Sequence, residues 1–197
     1  MTSCAESVAP TSLVKIGLVN PKSPTNVGGV MRAAGCYQAN EILYTGKRYA
    51  LAAKHRGEQY NTDTKRAGQH IPLTATDDLL SALTDGLKLV CVDLVEGAIP
   101  LPEFVHPDKA IYVFGPEDGT IDQALIDAAD AVVYVPTIGC MNLASSVNVL
   151  LYDRLAKTNI QIADDALIRQ SRDNNNRVRV RHSLKNALIQ AGAETQK

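Results

Sequence analysis

Four polar side chains stand just beyond or just inside the ends of apolar runs: Asn26, Arg32, Glu117 and Asn142. They belong to three short blocks, Asn26 to Arg32, Phe114 to Gly119 and Val135 to Leu143. Arg32 is a planar, permanently charged fork suited to phosphate. Glu117 and Asp118 are paired acids after an apolar run, and they repel phosphate, so a nucleoside or a sulfonium suits them better than a triphosphate. Asn142 can bond through both groups of its amide. Gly28, Gly29 and Gly115 permit close backbone approach. Each block also reads as an ordinary start of a helix when taken singly. The dinucleotide pattern G-x-G-x-x-G and the phosphate loop ending Gly-Lys-Ser/Thr are both missing. Cys140 has no neighbouring His to activate it, so it reads as a small apolar wall. No His/Cys/Asp cluster has metal-ligand spacing.

These residues need elements to hold them. Leu13 to Val19 predicts a buried strand, and the Asn20 to Pro24 stretch a loop. Thr25 or Asn26 is the expected cap of a helix running to about Tyr37. Short strands are expected over 41–45, 88–94, 110–114 and 131–135. Helices are expected over 77–83, capped by Thr76, over 122–129, and over Leu143 to Lys157, a run without Gly or Pro. Asp173 to Asn176 reads as a turn or mobile loop. Alternation of strand and helix predicts an α/β fold with a mostly parallel sheet flanked by helices. Such a sheet gathers its strand–helix handovers along one edge, so distant blocks can form one pocket.

The 197 residues suit one domain with a sizeable core. Hydrophobic content of 45% excludes disorder except at the ends. No apolar run approaches the roughly 20 residues of a membrane span. The first residues lack the basic-then-apolar order of a signal peptide, so a cytoplasmic protein is expected. Four cysteines without a C-x-x-C pair read as buried free thiols of a reducing compartment. The net charge of −1 hides an asymmetry: six cations against two acids from Lys47 to Arg66, and six against one from Ala166 to Ile189. Two basic segments on an acidic body point to a polyanion. In Arg177-Val178-Arg179-Val180-Arg181 the alternation would put the arginines on one face of an extended segment.

Read in order, the three blocks resemble the SpoU/TrmH branch of the SPOUT methyltransferases. The pattern N-x-G-x-x-x-R is matched by Asn26, Gly28 and Arg32. A glycine and glutamate turn after a strand is matched by Phe114 to Gly119, with the last glycine one place early. A proline followed by S-[LM]-N-[LV] is matched by Pro136 and by Cys140 to Leu143, with Cys140 in place of serine and a slightly short approach. The resemblance covers about Leu13 to Leu155. It implies a parallel sheet whose C-terminal part threads a trefoil knot, an exception to the rule against knots. It implies a homodimer and S-adenosylmethionine as cofactor, held by Asp93, Leu94, Val95, Gly115, Val135, Cys140 and Met141. Arg32, Asn26, Glu117 and Asn142 would surround the reacting centre, with Glu117 orienting Arg32 or the loop.

The implied reaction is methyl transfer to a ribose 2′-hydroxyl of RNA, with transfer RNA favoured over ribosomal RNA. A non-catalytic RNA-binding module on the same fold is the alternative. Besides Arg32, the RNA-gripping cations would be Lys47, Arg48, Lys54, Arg56, Arg177, Arg179 and Arg181. The expected organisation is a tail over 1–11, the catalytic domain over 12–160 and a basic extension over 161–197.

Overall fold

The computed structural model describes residues 12–56, 70–84, 86–158 and 164–180. The chain divides into two compact units, residues 1–159 and 160–197. The expected 1–11 tail lies outside the described residues, as do Arg181 and the side chain of Arg56.

The first unit runs β1 (Leu13–Leu18), α1 (Pro24–Cys36), β2 (Glu41–Tyr44), α2 (Arg48–Arg56), β3 (Leu73–Ala75), β4 (Lys88–Val92), β5 (Ile99–Pro100), β6 (Lys109–Phe114), α3 (Gln123–Ala128), β7 (Ala131–Tyr134) and α4 (Leu143–Lys157). Its sheet has the order β3-β2-β1-β6-β4-β7-β5 and every pairing is parallel. The strands are nearly continuous apolar runs because both faces are covered. Alternation along β6 shows it: Ala110, Tyr112 and Phe114 face one core with Val27, Val30, Val147 and Leu150 from α1 and α4. Ile111 and Val113 face the other, with Leu79, Leu87 and Ile121. In register, Leu18 pairs with Phe114, and Phe114 with Val92. The carboxyl ends of β1, β6 and β4 are therefore level, and the loops that leave them start side by side.

α1 and α4 pack on one face and approach closely at Gly29, where a Cβ would lie 2.8 Å from the Cβ of Ala144. The far end of α4 is held by a polar cluster. Buried Arg154 donates to the carbonyls of Pro107 and Asp108, to Tyr112 Oη and to Ser12 Oγ. His106 bridges Tyr112 Oη and Asp153 at 2.8 and 2.9 Å, and burial pushes its pKa down despite that carboxylate.

Local structure departs from expectation at several points. Ser23, not Thr25 or Asn26, caps α1: its side chain accepts from Asn26 N, and Pro24 takes the first helical turn, where no donor is needed. Only a 3-10 turn, Leu80–Ala82, forms within 77–83. Asp78 takes the N–H groups of Leu80 and Ser81, and Thr76 takes that of Asp78, so local side-chain bonds replace helix bonds. α2, β3 and β5 lie where no element was expected. Cys91 is buried, with its thiol pushed up to about 12, but Cys36 and Cys140 are exposed, at a helix end and in a loop.

In the second unit, α5 (Asp165–Ser171) is capped by the Asp164 side chain. A turn follows, closed by Asn176 N on Asp173 O. Residues 177–180 form neither strand nor helix, and Val178 and Val180 are 85% and 72% exposed. Arg177 and Arg179 are exposed as well, so alternation separates no buried face there.

Candidate functional site

The loops after β1, β4, β6 and β7 meet at the carboxyl edge of the sheet. Glu117, in the turn after β6, reaches back to the loop after β1. Its Oε2 accepts from Lys22 N at 2.8 Å, and its Oε1 accepts from Ser23 N at 3.0 Å and Asn26 Nδ2 at 2.9 Å. Burial pushes this carboxyl up, but those donors outweigh burial and hold its pKa below the usual glutamate range. Asn26 then accepts, through Oδ1, from Asn142 Nδ2 at 2.9 Å. Asn142 caps α4, its Oδ1 accepting from Ala144 N and Ser145 N. Glu117, Asn26 and Asn142 thus form one hydrogen-bond chain across all three blocks.

Beside that chain lies a cleft. Asp93, Leu94, Gly115, Val135, Cys140 and Met141 line it, as expected of them, and Val95 does not. Phe114, Pro116, Glu117, Tyr134, Thr137, Leu143 and Ser146 complete much of the wall. Among the described residues no Lys, Arg or His lines it. Asp93 stiffens the floor: its Oδ2 accepts from Ile121 N and its Oδ1 from Leu94 N. Gly115 sits against that first bond, since a Cβ there would come 3.3 Å from Asp93 Oδ2 and 3.2 Å from Ile121 N.

Arg32 is exposed on α1, and among the described residues its side chain has no hydrogen bond or ion pair. The bonds of Glu117 go to the 22–26 loop and not to Arg32. Lys47 and Lys54 are exposed. Arg48 is engaged: its Nη1 and Nη2 donate to Asp118 at 2.9 and 2.8 Å. The hydrogen bond to Arg48 holds the Asp118 carboxyl below its usual range. The Lys22 and Ser23 backbone partners of Glu117, and the Arg48–Asp118 pair, went unseen in the sequence. For the caps a signal existed: Ser23 precedes Pro24, and Asn142 immediately precedes an apolar helical run.

A parallel α/β sheet with a ligand cleft formed by loops at its carboxyl edge defines the general class. The chain belongs to the SpoU rRNA Methylase family, whose pattern matches residues 13–152. No curated protein matches it in sequence. Solved structures share its fold. An rRNA methyltransferase from Sinorhizobium meliloti superposes with a TM-score of 0.62 at 18% identity, over 74% of this chain and 56% of that one. The SpoU methyltransferase AviRb from Streptomyces viridochromogenes, in complex with AdoMet, gives 0.57 at 18%, over 76% and 62%. A structure concerned with 2-OH methylation of C/U34 on tRNA gives 0.63 at 19%, over 76% and 92%. This chain therefore spans little more than half of the first relative and most of the third. Among the described residues no helix is long and apolar enough to cross a membrane, and no group of three or more His, Cys, Asp or Glu could hold a metal.

Proposed function

We propose that the protein transfers a methyl group from S-adenosylmethionine to a ribose 2′-hydroxyl of RNA. One observation carries the reading: the Glu117–Asn26–Asn142 chain ties the three family motifs together beside a cleft that, among the described residues, has carboxylates and no cation. That donor set fits a cationic sulfonium nucleoside. Glu117 and Asp93 supply negative charge, and Leu94, Val135, Met141 and Leu143 supply apolar wall for a base. Asp93, Leu94, Gly115, Val135, Cys140 and Met141 would hold the cofactor. When bound, it supplies a methyl carbon already activated for an oxygen nucleophile.

The protein must then orient the ribose hydroxyl and help remove its proton. A guanidinium has no lone pair to offer as a base, so the role of Arg32 is to bind the phosphate next to the target ribose rather than to take the proton. Glu117 and Asn26 keep the 22–26 loop, and hence the start of α1, at the cleft. Asn142 fixes the start of α4 to the same point.

Transfer RNA is the preferred substrate. The chain covers 92% of the neighbour concerned with tRNA but 56% of the rRNA methyltransferase. In keeping with the family resemblance, the protein works as a cytoplasmic homodimer with a trefoil knot in the C-terminal part of its sheet domain. The basic 161–197 extension grips RNA backbone, with affinity that falls as salt rises.

The test is tritium incorporation from labelled S-adenosylmethionine into RNA, with calorimetry of cofactor binding. Wild type incorporates label, and Arg32→Ala loses about 100-fold or more while still binding cofactor. Full incorporation by Arg32→Ala would overturn the mechanism. RNA binding without cofactor binding would favour the non-catalytic module. Mapping 2′-O-methyl sites in RNA from a deletion strain identifies the substrate.

A further inference from the structure

Arg48, one of the cations expected on RNA, already holds an anion. Asp118 fills its fork with both oxygens, at 2.9 and 2.8 Å, and Lys22 Nζ stands 3.5 Å from Asp118 Oδ2. The three side chains are 33%, 50% and 63% exposed in the order Arg48, Asp118, Lys22. They adjoin the cleft, because Asp118 lies between Glu117 and Gly119, both part of its wall. Asp118 follows Glu117, and Lys22 gives its own N–H to Glu117. Exposed Lys47 adjoins Arg48.

A carboxylate that takes both Nη groups of an arginine offers the same two-oxygen face as a phosphodiester. In water such an exposed pair is weakly held. We propose that Lys22 and Arg48 form a phosphodiester subsite at the edge of the cleft, and that Asp118 occupies it as a built-in competitor. The inference rests on the RNA reading above. It gives Asp118 a role in specificity. A polyanion touching the surface elsewhere does not displace it, whereas an RNA seated in the cleft delivers a phosphate to this rim.

The test is binding of labelled total tRNA to the full-length protein over a range of salt, for wild type, Asp118→Asn, Arg48→Gln and the double variant. Asp118→Asn should bind about 2- to 5-fold tighter, the value of one exposed ion pair no longer broken. That gain should vanish when Arg48→Gln is added. Arg48→Gln should also flatten the slope of log affinity against log salt by about 0.7 to 0.9, one phosphate contact. An unchanged or weaker affinity in Asp118→Asn, or a gain that survives Arg48→Gln, overturns the proposal. If Asp118→Asn fails to fold, the slope of Arg48→Gln still decides, and an unchanged slope rejects the subsite. Wild type that binds no RNA at any salt sinks the RNA reading instead.

Discussion

Asn26 and Asn142 stand 116 positions apart, and their amides meet at 2.9 Å. The contact joins the first turn of α1 to the cap of α4, the two helices that cover one face of the sheet. Neither amide has a free choice of orientation. Asn26 gives its N–H to Glu117, so its oxygen faces Asn142. Asn142 gives its oxygen to the first N–H groups of α4, so its N–H faces Asn26.

Asn142 therefore does two jobs that substitution can separate. Asn142→Asp keeps an oxygen for Ala144 and Ser145 and adds negative charge at a helix start, which favours α4. It loses the donor and sets a carboxylate against Asn26 Oδ1. Asn26 cannot turn over, because that would face its oxygen to Glu117. Thermal unfolding should stay within roughly 0.5 kcal/mol of wild type, while methyl transfer falls at least about 10-fold. Asn142→Ala should lose both, with about 1 kcal/mol of stability gone. Full transfer by Asn142→Asp would show that the bond to Asn26 is dispensable.

Glu117 makes part of the stability depend on acid. Its folded-state pKa lies below the ordinary unfolded value of about 4.3, so the unfolded chain binds this proton more readily. The contribution is whole above that value and is lost as pH falls through the folded pKa. Glu117→Gln should cost about 1 kcal/mol at pH 7, because one of three donors then meets an amide N–H. Below about pH 4 its urea midpoint should approach that of wild type. Asp118 and Asp130 are also held below the usual aspartate range, so the Glu117→Gln variant keeps some acid sensitivity of its own. Parallel midpoint curves from pH 7 to 3 would refute this account.

Gly29→Ala sets two effects against each other. Alanine inside a helix gains about 1 kcal/mol over glycine. Against that, the new Cβ would lie 2.8 Å from Ala144 Cβ, and neither group can swing aside. Overpacking of this kind costs about 1–3 kcal/mol. The clash should win, lowering stability by about 1 kcal/mol and pushing α1 away from α4 across the Asn26–Asn142 contact. Calorimetric unfolding with cofactor-binding measurements checks both. A more stable variant that binds normally would show that the helices part without cost.

The fold was legible where one interaction dominates. Leu89 to Val92 and Ala110 to Phe114 are short continuous apolar runs rich in β-branched and aromatic residues, the pattern of a strand buried on both faces. Leu143 to Lys157 was legible at both ends, with Asn142 as cap and no breaker inside. Boundaries failed where short polar side chains compete with the backbone. Asp78 and Thr76 reduced the expected helix over 77–83 to one 3-10 turn. Ser23 took the cap two or three positions ahead of the expected residue because Pro24 needs no donor behind it. β5 has two residues and makes its pairing with β7, so no local pattern announces it.

The candidate site was legible as residue types in an order. Asn26, Arg32, Glu117 and Asn142 could be picked out because their three blocks, each an ordinary start of a helix taken singly, follow one another in the order of a family pattern. Their partners were not, because a hydrogen bond between positions 26 and 142 leaves no trace in local spacing. The same holds for Arg48. Its charge marked it as a cation for RNA, and only packing of α2 beside the turn after β6 gave it Asp118.

Chain order and residue type alone point to the family, the parallel α/β plan and the three blocks that the fold brings together, since apolar continuity and caps act over a few residues. Folding alone settles which blocks touch. It brings the ends of β1, β6 and β4 level, turns Glu117 toward the loop rather than toward Arg32, leaves the Arg32 side chain without a partner among the described residues, and pairs Arg48 with Asp118. Those outcomes depend on strand order and register, which are set by burial of both faces of the sheet at once, and no short stretch of sequence contains that information.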